Sequence, residues 1–164
     1  MTLQGHNEQM AQEHVVAGEA SIGATATLSV AISKALSVPA RGFREAVADV
    51  RRASAQNDVD GLFIAVTNAA QWLTAITWQK ADLKNNQDVV ALSFARDRAH
   101  HQLGSPISQD ASGTWTWRPL EVLPLPEPRF QGRTHEQEAY RTRLANAPLL
   151  DVFGRLEPVI VALA

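Results

Sequence analysis

The sequence predicts an all-α fold, an up-and-down helical bundle of five or six helices with a short extended insert rich in Trp and Pro. Three observations lead there. Apolar residues recur at 3- and 4-residue spacing through successive segments from Ala24 onward. Helix-stopping residues separate those segments at Pro39, Asn57-Asp58, Lys80 to Asn86 and Gly104-Ser105-Pro106. Only Thr114-Trp115-Thr116-Trp117-Arg118 alternates as a strand does.

Residues 1–23 carry three acidic and no basic residues and read as a mobile N-terminal arm, leaving residues 24–164 as a single helical domain. From Ala24, the stripe Leu28, Ala31, Ile32, Ala35 and Leu36 predicts a helix ending before Pro39. A second helix is expected near Ala40, with Phe43, Ala46, Val47 and Val50 inward, until Asn57-Asp58 breaks it. Asp58 or Asp60 can cap the third helix. Its stripe of Leu62, Val66, Ala69, Leu73 and Ile76 is flanked by Phe63, Trp72 and Trp78, an apolar arc wide enough for a central position.

The fourth helix is expected from Gln87 or Asp88 to about Leu103. Ser108 to Gly113 reads as turn, and the proline-rich run from Leu120 to Pro128 as an extended surface crossing. Two terminal helices follow, about Thr134 to Ala145 and Pro148 to Leu163, the latter kinked or divided at Pro158. Trp115 and Trp117 fall on one side of their strand, where packing against the core is the favoured role.

Composition narrows the chemistry. With no cysteine, disulfides and thiolate metal sites are excluded. A formal net charge of -2 gives no overall nucleic-acid footprint, although local patches matter more than the total. No run of eighteen uninterrupted apolar residues and no signal-like N-terminus is present, so the expectation is a cytoplasmic protein without a membrane partner. No Gly-x-Ser-x-Gly elbow or phosphate-binding glycine loop appears, and no cofactor is expected. Adjacent histidines diverge on a helix, so His100 and His101 with His135 make a poor zinc set, and no metal site is expected.

One segment concentrates reactive side chains: Phe94-Ala95-Arg96-Asp97-Arg98-Ala99-His100-His101-Gln102. On a helix, Arg96 and His100 share one face, and Asp97 and His101 the next. Such a set suits cleavage of an RNA backbone without a metal. Arg96 would stabilise charge building on the phosphate. His101 would act as general acid or base, with His100 assisting or substituting, and Asp97 would orient the imidazole. Arg41, Arg44, Arg51 and Arg52 on the second helix would be the RNA-binding surface, although internal salt bridges with Glu45 and Asp49 account for the same residues.

The run Arg96-Asp97-Arg98-Ala99-His100-His101 resembles the motif of HEPN-superfamily ribonucleases, an arginine, a polar residue, and a histidine after four intervening positions. That resemblance implies a compact helical bundle, a homodimer whose two motifs share a cleft, an RNA substrate, and a toxin or defence setting with an antitoxin or other protein partner. It assigns the phosphate contact to Arg96, the polar second position to Asp97 and the catalytic histidine to His101. Asn68-Ala69-Ala70-Gln71-Trp72, Arg96 through Gln102 and Trp115-Thr116-Trp117-Arg118-Pro119-Leu120 also resemble segments of a bacterial helical family with no assigned activity. The alternative expectation is a catalytically silent module for dimerisation or protein partner binding. In it Arg96 bridges to a neighbouring helix, Asp97 pairs with His101, and the cluster only organises the interior.

Overall fold

A computed structural model describes residues 36–102, 105–123 and 132–163, with the side chains of His101 and Gln102 outside that description. The expected N-terminal arm, the helix expected from Ala24 to Ala35 and most of the proline-rich crossing lie outside the described residues. The fold is all-α, with five α-helices and one short two-stranded sheet among the described residues. Helix α1 covers residues 36–56, α2 Val59–Gln79, α3 Gln87–Gln102, α4 Thr134–Arg143 and α5 Leu149–Val161. Strand β1 is Ile107–Gln109 and β2 is Trp115–Trp117.

Helix α1 runs unbroken through Pro39, where the sequence predicts a boundary. Proline's fixed φ is itself compatible with a helix, at the cost of one backbone donor. Leu36, Ala40 and Phe43, all buried, hold that stretch against the core. The far end stops as expected. Asn57 takes a left-handed φ of 53°, Asp58 N–H donates to Ala53 O at 3.0 Å, and Asn57 N–H donates to Ser54 O at 3.3 Å. This closing pattern satisfies the last carbonyls of the helix.

Asp58 then caps α2, its Oδ1 accepting from Gly61 N–H at 3.0 Å. A side chain at position 61 would meet that carboxylate, since a Cβ there would lie 2.1 Å from Asp58 Oδ2. Glycine therefore fits the cap closely. Helices α1 and α2 form an antiparallel hairpin in which Trp72 lies over Gly42; a Cβ on Gly42 would sit 2.4 Å from the indole. A single 3-10 turn, Ala81–Asn85, leads to α3, whose first amides at Asp88 and Val89 donate to Asn86 Oδ1 at 3.0 and 3.3 Å.

Helix α3 packs against α2, α4 and α5. Its buried residues Val89, Ala91, Leu92, Phe94 and Ala95 join Leu62, Leu73, Ile76, Tyr140, Phe153 and Ile160 in one hydrophobic core. Tyr140 stands edge-on to Phe94 and donates its hydroxyl to Arg118 O at 2.7 Å. Burial pushes its phenol up.

Ser108 and Gln109 are strand, not turn. They pair antiparallel with Thr116 and Trp115, and Ile107 pairs with Trp117. The reversal itself is Asp110 to Gly113, where Asp110 Oδ1 accepts from the amides of Ser112 and Thr114, and Gly113 takes φ 82°. Trp115 and Trp117 are both buried, so these rings pack. Trp117 also exchanges backbone bonds with the loop between α4 and α5, accepting from Asn146 N–H at 2.8 Å and donating to Ala147 O at 3.0 Å. That pairing draws the chain out of the helix, and α4 ends at Arg143 instead of Ala145. Leu120–Val122 forms a 3-10 turn where an extended chain is expected. Helix α5 contains Pro158 but is not divided by it; Val152, Phe153, Leu156 and Ile160 are buried on both sides of the proline.

By length and composition α2 is apolar enough to cross a membrane, yet Leu62, Val66, Ala69, Leu73 and Ile76 along it are buried in the core. The wide apolar arc expected for a central helix is therefore only partly covered.

Candidate functional site on helix α3

Of the residues singled out by sequence, Arg96, Asp97, His100 and His101 belong to the C-terminal half of α3, and the fold ties Arg96 and Asp97 inward. Arg96 Nε donates to Asp97 Oδ1 at 3.0 Å, and its Nη2 reaches the same oxygen. Its Nη1 donates to Thr74 Oγ1 on α2, and Thr74 in turn donates to Ala70 O at 3.0 Å. Asp97 Oδ2 accepts from Arg133 Nη1 at 2.8 Å. Arg133 Nε then donates to Glu136 Oε1 at 2.9 Å, and its guanidinium lies 5.5 Å from the centre of the Phe94 ring. One continuous polar chain thus links α2, α3 and the start of α4. Its members are half-buried, with Arg96 and Asp97 side chains 18% and 20% exposed.

The electrostatics follow from that chain. Burial pushes the Asp97 carboxyl up, but hydrogen bonds from Arg133 and Arg96 outweigh it and hold it below its ordinary range. Glu136 is likewise lowered, since Arg133 overcomes the opposing effect of burial. An arginine grips phosphate with one of two paired N–H edges. The Nε–Nη2 edge of Arg96 is occupied by Asp97, and Thr74 takes a donor from the other edge. The space beside Arg96, bounded by Val66, Ala70, Ala99 and Trp117, is about 10 Å³, enough for a water-sized group and no more.

His100 is exposed at the end of α3, whereas the His101 side chain lies outside the described residues. Among the described residues, no cluster of three metal-ligating side chains occurs. Arg98, which the sequence reading left without a role, is buried, and that burial lowers its pKa. It borders a roomier recess of about 150 Å³ with Phe94, Leu120, Glu121, Gln137 and Arg141.

The arginines of α1 divide. Arg41 faces Glu45 at 3.9 Å, Arg52 pairs with Asp49 at 2.5 Å, and Arg51 reaches Glu157 on α5 with Nη2–Oε2 at 2.5 Å. Arg44 is exposed. Ion pairing therefore accounts for Arg41, Arg51 and Arg52, and Arg51 in particular fastens α1 to α5.

The strongest polar site was not singled out by sequence. Asp88, in the first turn of α3, is 5% exposed and accepts from two arginines at once. Arg143 donates through Nε and Nη2 at 2.9 Å each, and Arg155 through the same pair of atoms at 3.0 and 2.8 Å. Burial opposes the charge, but these bonds prevail and hold the carboxyl at about 2. The only signal available was a carboxylate in the first turn of a helix, which ordinary dipole stabilisation explains. No family model, curated protein or solved structure matches this chain.

Proposed function

We propose that this chain is a catalytically silent helical module that acts by binding a protein partner, with the Arg96–Asp97 pair serving to join helices. The observation that carries this reading is the engagement of the Arg96 fork by Asp97 and Thr74. A guanidinium so engaged must break internal bonds before it can meet a phosphate, and leaving Asp97 without Arg96 in a half-buried site is costly. The exposed apolar side chains of α2, among them Ile64 and Trp78, supply a surface suited to protein contact.

Metal-independent RNA cleavage is the second reading, favoured by the exposed position of His100 one turn beyond Arg96. Purified wild-type chain and the Arg96→Ala, His101→Ala double variant, incubated with total RNA and expressed in growing cells, separate the two. The module reading expects no RNA breakage above background and equal growth for both proteins. RNA breakage by the wild type that disappears in His101→Ala at unchanged Tm would establish the ribonuclease instead.

A further inference from the structure

Helices α3 and α4 pack against each other, and beside their contact lies the recess of about 150 Å³ that the 3-10 turn Leu120–Val122 helps to line. An apolar cavity of about that size holds a benzene ring. Phe94 and Arg98 stand one turn apart on α3 and are both buried. Gln137 and Arg141 stand one turn apart on α4, and Leu120 and Glu121 come from the turn. The chemistry of this set is divided. Phe94 and Leu120 are apolar and Gln137 brings an amide, while Arg98 and Arg141 set two positive charges against the one negative charge of Glu121. At 3% exposure Arg98 is the most deeply buried charged residue among the described ones. Arg141 meets carboxylates only at long range, Glu121 Oε1 at 3.5 Å and Glu138 Oε2 at 3.9 Å. These three side chains are all at least 46% exposed, where water screens such pairs and they contribute little.

We propose that this recess binds a small aromatic carboxylate, with its ring against Phe94 and Leu120 and its carboxylate on Arg98, beside Gln137 and Arg141. The site is separate from the apolar surface of α2 and stands whether or not that surface meets a protein. Arg98 is itself tied into the fold. A guanidinium has five N–H donors, however, and a carboxylate takes two of them. Attraction between opposite charges is stronger at a buried site than at the surface, because less water screens it. Other ligand classes fit less well. Inorganic phosphate would leave Phe94 and Leu120 without an apolar partner, and an organic cation would face two guanidinium groups. A neutral ring would take more water from Arg98 and offer nothing in exchange.

Benzoate is the probe, and benzamide, a neutral molecule of nearly the same shape, is its control. Titrated into the isotope-labelled full chain, benzoate should shift the amide resonances of Arg98, Leu120, Gln137 and Arg141. Those of Arg41 and Arg44, exposed on α1, should stay in place. For so few atoms the dissociation constant should lie at about 0.1 to 1 mM. Benzamide should bind about tenfold more weakly, since it cannot pair with a guanidinium as an ion. Leu120→Trp, which fills the recess from a half-buried position, should abolish benzoate binding while far-UV circular dichroism stays unchanged. Arg98→Met should weaken benzoate by about the same factor as the loss of its charge. If removal of that buried side chain unfolds the protein, the benzamide comparison and Leu120→Trp carry the test in folded chains. Three results each overturn the proposal: no saturable benzoate binding at millimolar concentration, equal binding of benzoate and benzamide, or benzoate binding indifferent to Leu120→Trp. Shifts centred on Arg41 and Arg44 overturn it as well, because they mark attraction to any exposed arginine.

Discussion

Helix α3 carries one carboxylate in its first turn and another near its last, and their surroundings are built differently. Asp88 is almost wholly buried and meets Arg143 and Arg155 edge to edge, each oxygen accepting from both guanidinium groups. Asp97 is more open, taking Arg96 from its own helix on one oxygen and Arg133 on the other. The first site joins three helices, α3, α4 and α5, through a buried carboxylate whose two arginines are partly exposed; the second is a string of half-buried partners. Reactive residue types gathered in sequence around Asp97, yet the tighter arrangement formed around Asp88. Proximity in sequence is a poor guide to electrostatic strength because strength depends on burial and paired geometry.

The comparison can be broken most forcefully at Asp88. Removing its carboxylate leaves two guanidinium groups facing each other beside the core. Asp88→Ala should cost about 3 kcal/mol, at the low end for a buried pair because both arginines are partly exposed. For a chain of this size that corresponds to a fall in Tm of roughly 6 to 12 °C. Thermal and urea unfolding measure it, and a loss below about 1 kcal/mol would make the two carboxylates equivalent.

Acid unfolding sharpens the same contrast. The Asp88 carboxyl titrates at about 2 in the folded chain, below its ordinary value of 3.8. Its contribution is thus complete above the ordinary value and is lost as pH falls from about 4 towards 2, amounting to roughly 2 kcal/mol. Asp97 and Glu136, also lowered, add to the same limb in the same direction. Unfolding free energy measured from pH 5 to pH 2 should fall more steeply in wild type than in Asp88→Asn. Parallel curves would remove Asp88 from the account.

The smallest effect belongs to the open site. A double-mutant cycle between Asp97→Asn and Arg133→Gln should give a coupling of about 1 kcal/mol, reduced by added salt. A coupling as large as the whole cost of Asp88→Ala would reverse the ranking of the two sites.

Much of the helical order is legible in the residues. Asn57-Asp58 marks both the end of α1 and the start of α2, because asparagine tolerates a left-handed φ and aspartate accepts from a free first-turn amide. The stripes Phe43, Ala46, Val47, Val50 and Leu62, Val66, Ala69, Leu73, Ile76 are buried as their spacing requires. Three boundaries were less legible. Pro39 stops nothing, since its φ suits a helix. Ile107–Gln109 is too short to show alternation and becomes a strand only because Trp115–Trp117 lies opposite. Helix α4 ends early because Asn146 and Ala147 bond Trp117, a partner invisible to local pattern. At the candidate site, the neighbouring positions of Arg96 and Asp97 could be read, but not that Thr74 and Arg133 would claim their remaining bonding edges.

The chain's own order of apolar spacing, caps and breakers determined an all-α bundle, since hydrogen bonds within a helix and burial of one face depend on residues a turn apart. Tertiary structure alone decided which charges matter. Asp88 finds Arg143 and Arg155 at separations of 55 and 67 residues, and the outer face of α2 stays bare because no described helix closes over Ile64 and Trp78. Pairing a buried charge, or covering an apolar face, requires a second element at a particular place, and only the folded chain supplies that place.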